Sequence, residues 1–267
     1  MSITTLPALL AVGSGGIIGL VLGLVGGGGS ILAVPLLVYV VGVSSPHVAI
    51  GTAAIAVALN AAFGLAAHTR QGTVKWRCAG VFAAAGIIGS ALGAEAGKAV
   101  DGQRLLALFG VVMIAVALSM LRGRSDAGDA KVRLTATSAA YLVPWLVGTG
   151  FGVGLLSGFF GIGGGFLIVP ALMLATGMPI ANAVATSLVA VTAFGLTTAG
   201  SYASSGLVDW ALAALLVGGG AMGSFAGSRL NTILAQKKRM LTLLFAGLVL
   251  IVGASILWRG LASALAA

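Results

Sequence analysis

Charge is what this chain has least of. Only 7% of its 267 residues are Asp, Glu, Lys or Arg, against about 25% in a soluble domain. A chain so composed cannot cover itself with water-compatible side chains, which excludes a soluble globule and makes it an integral membrane protein. Acids are the scarcest charges, five against 14 Lys and Arg. Glu95, Asp101 and Asp209 fall at the ends of apolar segments and read as loop charges. Sodium or proton coupling through a buried carboxylate therefore has no candidate. The single cysteine, Cys78, excludes an internal disulfide. Two histidines, His47 and His68, with one thiol and no clustered acids, supply neither a metal site nor a catalytic constellation. No metal, no cofactor and no enzymatic activity are expected. The first ten residues, MSITTLPALL, lack the Lys or Arg of a basic leader, so no cleavable signal peptide is expected.

What the chain has is apolar length. Hydrophobic residues make up 59% of it and glycine contributes 43 residues, a composition that suits close helix packing in lipid. Ten apolar segments can be marked. Five precede a polar stretch: Leu6–Val25, Ile31–Val43, Val48–Ala67, Cys78–Ala96 and Leu105–Leu121. Five follow it: Tyr141–Phe160, Phe166–Gly177, Ala181–Ala199, Trp210–Leu230 and Met240–Trp258. A full span needs about 20 residues, so the second segment of each half is too short to cross comfortably. The polar stretch Arg122–Arg133 divides the chain into a first repeat, 1–123, a cytoplasmic linker, 124–139, and a second repeat, 140–267.

The halves are copies. At an offset of 135, Gly19, Gly23, Gly26, Gly28, Gly29, Leu32, Val34, Pro35 and Gly42 match Gly154, Gly158, Gly161, Gly163, Gly164, Leu167, Val169, Pro170 and Gly177. At 134, Thr52, Gly72, Trp76, Gly86, Gly89, Ser90 and Gly93 match Thr186, Gly206, Trp210, Gly220, Gly223, Ser224 and Gly227. The net charge of +9 is explained by basic loops facing the cytoplasm rather than by nucleic acid, which is not an expected partner. Arg70, Lys75 and Arg77 follow the third segment of the first half, whereas Ser201–Asp209, after the third segment of the second, has no Lys or Arg. Arg229, Lys237, Lys238 and Arg239 follow the next. Matching segments must then run in opposite directions. The expected fold is an all-α integral membrane protein, an inverted-topology repeat of two five-segment halves, each with a glycine-broken re-entrant-type helix pair. Whole spans in place of the re-entrant pairs keep the same termini, both outside the cytoplasm, in a bacterial-type inner membrane.

The candidate site lies at the two glycine runs, Gly26, Gly27, Gly28, Gly29 and Ser30 in the first half and Gly161, Gly163, Gly164 and Gly165 in the second. Consecutive glycines cost roughly 1 kcal/mol each in a helix relative to alanine. Backbone bared at membrane depth is tolerated where it lines a cavity or site. A helix restarting after each run presents free N–H groups and the positive end of its dipole, which suits an anion. Ser30, Thr52, Thr186 and Ser187 could complete a ring of neutral donors. No Lys or Arg falls inside a predicted span apart from Arg229, one residue from the end of Trp210–Leu230. The bland alternatives are packing for the glycines and bonding to the helices' own carbonyls for the hydroxyls. Gly89-x-x-x-Gly93 and Gly223-x-x-x-Gly227 read as helix-contact faces, Trp76 and Trp210 as interfacial anchors, and Asn60 and Asn182 as interhelical glue. His68, beside Arg70, reads as interfacial, with proton coupling as its alternative role. The partners expected are a small anionic solute and the lipid bilayer; a homodimer is left open.

The blocks Gly26–Pro35 and Gly161–Pro170, with Ala185-Thr186-Ser187 and the Gly-x-Val-x-Trp pieces Gly72–Trp76 and Gly206–Trp210, resemble the TauE/SafE family of sulfite and sulfonate exporters. The resemblance covers both halves. It implies a membrane transporter of small sulfur-containing or organic anions such as sulfite and sulfonates, with export as the implied direction. The first copy departs from the second, with Ser30 for Gly165 and Ala53 for Ser187. A passive anion pore using the same amides is the competing reading, and an uptake carrier for another sulfur-containing or carboxylate anion is a third.

Overall fold

The computed structural model describes residues 5–69, 72–121, 136–161, 165–234, 246–247 and 249–258, and among them there is no strand. Helix is the physical answer for apolar segments in lipid, because each must satisfy its own backbone groups. α1 spans Thr5–Val25; a 3-10 stretch, Gly26–Leu32, follows it directly, then one α-helical turn, α2 (Ala33–Pro35), then a π-helical stretch, Leu36–Val41. Next come α3 (Pro46–Thr69), α4 (Trp76–Ala99) and α5 (Gly102–Leu121). The second half provides α6 (Ala136–Phe160), α7 (Gly165–Thr176), α8 (Ile180–Ser204) and α9 (Trp210–Leu234). A further apolar helix, α10, covers Val249–Trp258. Six of these, α1, α3, α4, α6, α8 and α9, contain stretches long and apolar enough to cross a membrane. The chain is a multi-pass membrane protein.

Several boundaries differ from expectation. α4 runs past Ala96 to Ala99 and α5 starts at Gly102, leaving a two-residue connection, Val100-Asp101. Arg77 and Lys98 therefore sit in the first and last turns of α4, and Arg229 lies within α9, which corrects the expectation that no Lys or Arg beyond Arg229 lies inside a span. The Lys98 ammonium reaches across to the end of α8 rather than projecting from a loop. α6 begins at Ala136, inside the stretch read as linker. Arg70, Gly163, Gly164, residues 122–135 and Lys237–Arg239 lie outside the described residues.

Glycine decides which helices touch. In lipid there is little hydrophobic drive between helices, so close backbone approach supplies the attraction. Gly15 and Gly19 of α1 abut the backbone of Leu216 and Gly220 in α9; Gly150, Gly154 and Gly158 of α6 abut that of Phe82, Gly86 and Ser90 in α4. In both pairs the numbers rise together, so α1 runs parallel to α9 and α6 parallel to α4. α3 crosses α8 the other way, with Gly51 by Tyr202, Ala58 by Gly195 and Gly64 by Leu188. The first helix of each half is thus fastened to the fourth helix of the other. Phe82 and Phe194 stack in the centre with ring centroids 6.0 Å apart, both fully buried.

Candidate functional site

The two glycine runs break the α-helix differently. α6 stops at Phe160, and Gly161 turns into the left-handed region at φ +65°. Its N–H donates to the Gly158 carbonyl at 3.2 Å. A side chain there would be strained in conformation and would overlap Ile50 of α3. Helix resumes at Gly165, which is buried. The first copy has no such left-handed turn. Gly26, Gly27, Gly28, Gly29 and Ser30 wind on as 3-10 helix to Leu32, and Gly29 folds back against the Val21–Leu22 backbone of α1. The expected fresh helix start after Gly29 is corrected: glycine permits the tighter winding, which keeps its i→i+3 bonds. The 3-10 stretch packs against α7. The first glycine segment therefore packs against the helix that starts after the second run, and Ser30, Ile31, Gly165 and Phe166 are all buried. A shallow apolar depression elsewhere, lined by Pro144, Trp145, Gly148 and Thr149, opens on α6 beside the half-exposed Trp145.

The candidate hydroxyls have protein partners. Thr52 of α3 accepts from the Asp209 N–H at 3.0 Å, and Thr186 of α8 accepts from the Lys75 N–H at 3.1 Å. Asp209 and Lys75 stand just before α9 and α4 and are related by the same offset of 134 as the two threonines. Each third helix of a half thus satisfies an otherwise orphaned donor at the start of the other half's fourth helix. Asp209 adds a cap of its own, its Oδ1 accepting from the Leu212 N–H at 3.0 Å. Ser187 donates to the Val184 carbonyl at 2.8 Å, within its own helix. Because α3 and α8 are antiparallel, Thr52 and Thr186 sit at opposite ends of the pair, roughly 20 Å apart at 1.5 Å per residue. They do not form one ring. Both threonines use their oxygens as acceptors, so each keeps a hydroxyl proton to donate.

These caps carry a prediction. Thr186→Val removes the hydroxyl that accepts from the Lys75 N–H, at a cost of about 1–3 kcal/mol, while Thr186→Ser keeps the bond. We expect a lowered melting temperature in detergent for Thr186→Val and a near-normal one for Thr186→Ser, with the same contrast at Thr52. Equal melting of the valine and serine variants at both positions would reject the capping role.

Asn182 of α8 ties down the connection between α3 and α4 rather than a neighbouring helix: its Nδ2 donates to the Thr73 carbonyl at 2.8 Å. His68 lies in the last turn of α3, half-buried, and its carbonyl accepts from Thr73 Oγ1 at 3.4 Å. Sequence reasoning missed a polar clasp between α4 and α8. Lys98 Nζ lies 2.8 Å from Glu95 Oε1 and donates to Ser205 Oγ at 2.9 Å and to the Ser201 carbonyl at 3.2 Å. Ser201 Oγ donates to Glu95 at 2.8 Å. The ammonium sits at the carbonyl end of α8, where the helix dipole favours a cation. The Glu95–Lys98 spacing was the available signal. Among the described residues no cluster of His, Cys, Asp or Glu could hold a metal.

Residues 11–256 match the family described as Sulfite exporter TauE/SafE. The chain belongs to the TauE/SafE family. It is 48% identical to a "Probable membrane transporter protein" of Xylella fastidiosa (strain 9a5c), over 97% of this chain and 98% of that protein. It is 29% identical to the "Probable membrane transporter protein YunE" of Bacillus subtilis, over 92% and 97%. A third relative, "Probable membrane transporter protein MJ0441" of Methanocaldococcus jannaschii, is 31% identical over 68% and 67%. No solved structure matches this TauE/SafE chain.

Proposed function

We propose that this TauE/SafE protein is a secondary transporter that carries a small anion, sulfite or an organosulfonate, outward across a bacterial-type inner membrane. The observation that carries the reading is the packing of the first glycine segment against α7, the helix that starts after the second glycine run. Backbone amides free of side chains there suit an anion that must bind weakly enough to leave. The helix directions support it: α3 and α8, which correspond in sequence, run antiparallel, as an inverted-topology repeat requires, while α1 pairs with α9 and α6 with α4. This is a common plan for carriers that alternate access about a central site. Alternation then consists of the α1/α9 pair rocking against the α4/α6 pair, with the α3–α8 crossing as the seam. The packed state of the glycine segments suits a carrier between its two open forms better than a standing pore.

Purified protein in liposomes should move labelled sulfite or sulfoacetate without steady single-channel currents. Gly165→Ser, which installs the residue of the first copy, should keep flux. Gly165→Leu should cut it at least tenfold while the protein still reaches the membrane. Normal flux in Gly165→Leu would reject the site, and sustained unitary currents would reject the carrier.

A further inference from the structure

Among the buried positions at which the two halves differ, one lies near the middle of their third helices. Positions 60 and 194 correspond at the offset of 134, and each faces a glycine on the fourth helix of the opposite half. Phe194 lies against Gly86 and stacks on Phe82. Asn60 lies against Gly220, in the space that a Cβ on that glycine would fill. Asn60 is 1% exposed, yet neither its Oδ1 nor its Nδ2 has a hydrogen-bond partner among the described residues. Asn182, the other asparagine of the apolar segments, has one. An amide without a partner in a dry interior is costly, and a position that served packing alone would be apolar, as Phe194 is.

Location adds to this. Gly220 also meets Gly19 of α1, and Gly29 lies beside Val21 and Leu22 of the same helix. The Asn60 amide is therefore about one helical turn, roughly 5 Å, from the depth of the first glycine break. It stands just beyond the crossing of α3 and α8, where Ala58 meets Gly195.

We propose that Asn60 is a solute-binding residue: its amide N–H groups donate to a small oxyanion during passage, and its carbonyl accepts from a hydroxyl or water travelling with that anion. The proposal rests on the transporter reading above and adds a side chain to it. A neutral amide can orient an oxyanion without the deep trap that a buried cation would make. Gly220 keeps the space in which the amide sits.

The test uses the full chain, purified in detergent, with sulfite, sulfoacetate, thiosulfate and acetate as probes. Affinity is read by titration calorimetry, and the melting temperature without probe is read separately. Asn60→Leu should bind the wild type's preferred probe at least tenfold more weakly, while melting at or above the wild-type temperature, because a partnerless amide has been removed. Gly220→Ala should weaken binding in the wild-type background and have no further effect on binding in Asn60→Leu, which keeps the test open if Asn60→Leu folds poorly. Binding equal to wild type in Asn60→Leu, or in Gly220→Ala should the leucine variant not fold, overturns the role of Asn60 and leaves the transporter reading standing. A wild-type protein that neither binds nor moves any of the four probes overturns the anion-transporter reading, and this proposal with it.

Discussion

Valine in place of Gly154 is expected to remove most folded protein from the membrane, whereas valine at Gly148 or Gly152 of the same helix is expected to leave it there. A Cβ on Gly154 would fall inside the carbonyl, carbonyl carbon and Cα of Gly86 in α4. Those atoms are backbone and cannot rotate away, so α6 and α4 must separate. Separation also releases the contacts of Gly150 with Phe82 and of Gly158 with Ser90. Around Gly148 and Gly152 an added Cβ meets nothing within 4 Å. Overpacking a well-fitted interior costs about 1–3 kcal/mol where side chains can yield, and a clash with backbone belongs at or beyond the top of that range. Against a total stability of about 5–15 kcal/mol, that is a large share. On α1 the same contrast is expected between Gly19, which abuts Gly220, and Gly13, which has open space. The measurement is the monodisperse yield and melting temperature of detergent-extracted variants. A Gly154→Val protein that melts within a few degrees of Gly152→Val would show that the α4–α6 contact is not what holds the bundle.

The sequence told much about which faces touch and little about what they touch. Spacing by four marks Gly89 with Gly93 and Gly223 with Gly227 as contact faces, and the structure sets Gly89 on the Phe151 carbonyl, Gly93 on that of Leu155, Gly223 on that of Gly16 and Gly227 on that of Leu20. Spacing is local, so it is readable; the partner helix comes from the other half, and nothing in either helix names it. The same limit hid the roles of Thr52 and Thr186. Their polarity inside apolar segments singles them out, but the N–H groups they serve are 157 and 111 residues away. Lys98 was missed for a smaller reason. Helix ends are blurred by a turn, and three extra residues carried it from a loop into α4. The glycine runs illustrate a third limit. A residue without a side chain permits a left-handed turn at Gly161 and a 3-10 winding at Gly26–Leu32 with similar ease, and the surrounding helices select between them. Asn60 and Asn182 are alike in sequence, and only the presence of the Thr73 carbonyl beside one separates a tether from an unspent amide.

In a Cys78→Ala background, cysteines placed at Thr73 and at Ser204 are expected to react with a membrane-impermeant maleimide from opposite sides. Cys78 is the single native cysteine, so its replacement leaves the introduced thiol as the label's target. Thr73 follows α3 and Ser204 closes α8 at the corresponding end of the other half; Thr73 is half-exposed and Ser204 exposed. α3 and α8 lie antiparallel, with Gly51 beside Tyr202 and Gly64 beside Leu188. If both cross the bilayer, their ends must face opposite compartments. The basic residues Arg70, Lys75 and Arg77 beside Thr73, and the lack of any in Ser201–Asp209, choose the side. Intact cells should therefore label Ser204→Cys at least tenfold more than Thr73→Cys, and permeabilised cells should label both. The experiment reaches beyond orientation. The Thr186–Lys75 bond lies at the end marked by Thr73 and the Thr52–Asp209 bond at the end marked by Ser204, so opposite labelling would put one cap near each face of the membrane. Labelling of both cysteines from one side would mean that α3 and α8 do not both span. The entry of the glycine segments from opposite leaflets, which the proposed carrier requires, would then be ruled out, and that proposal would lose its geometric basis.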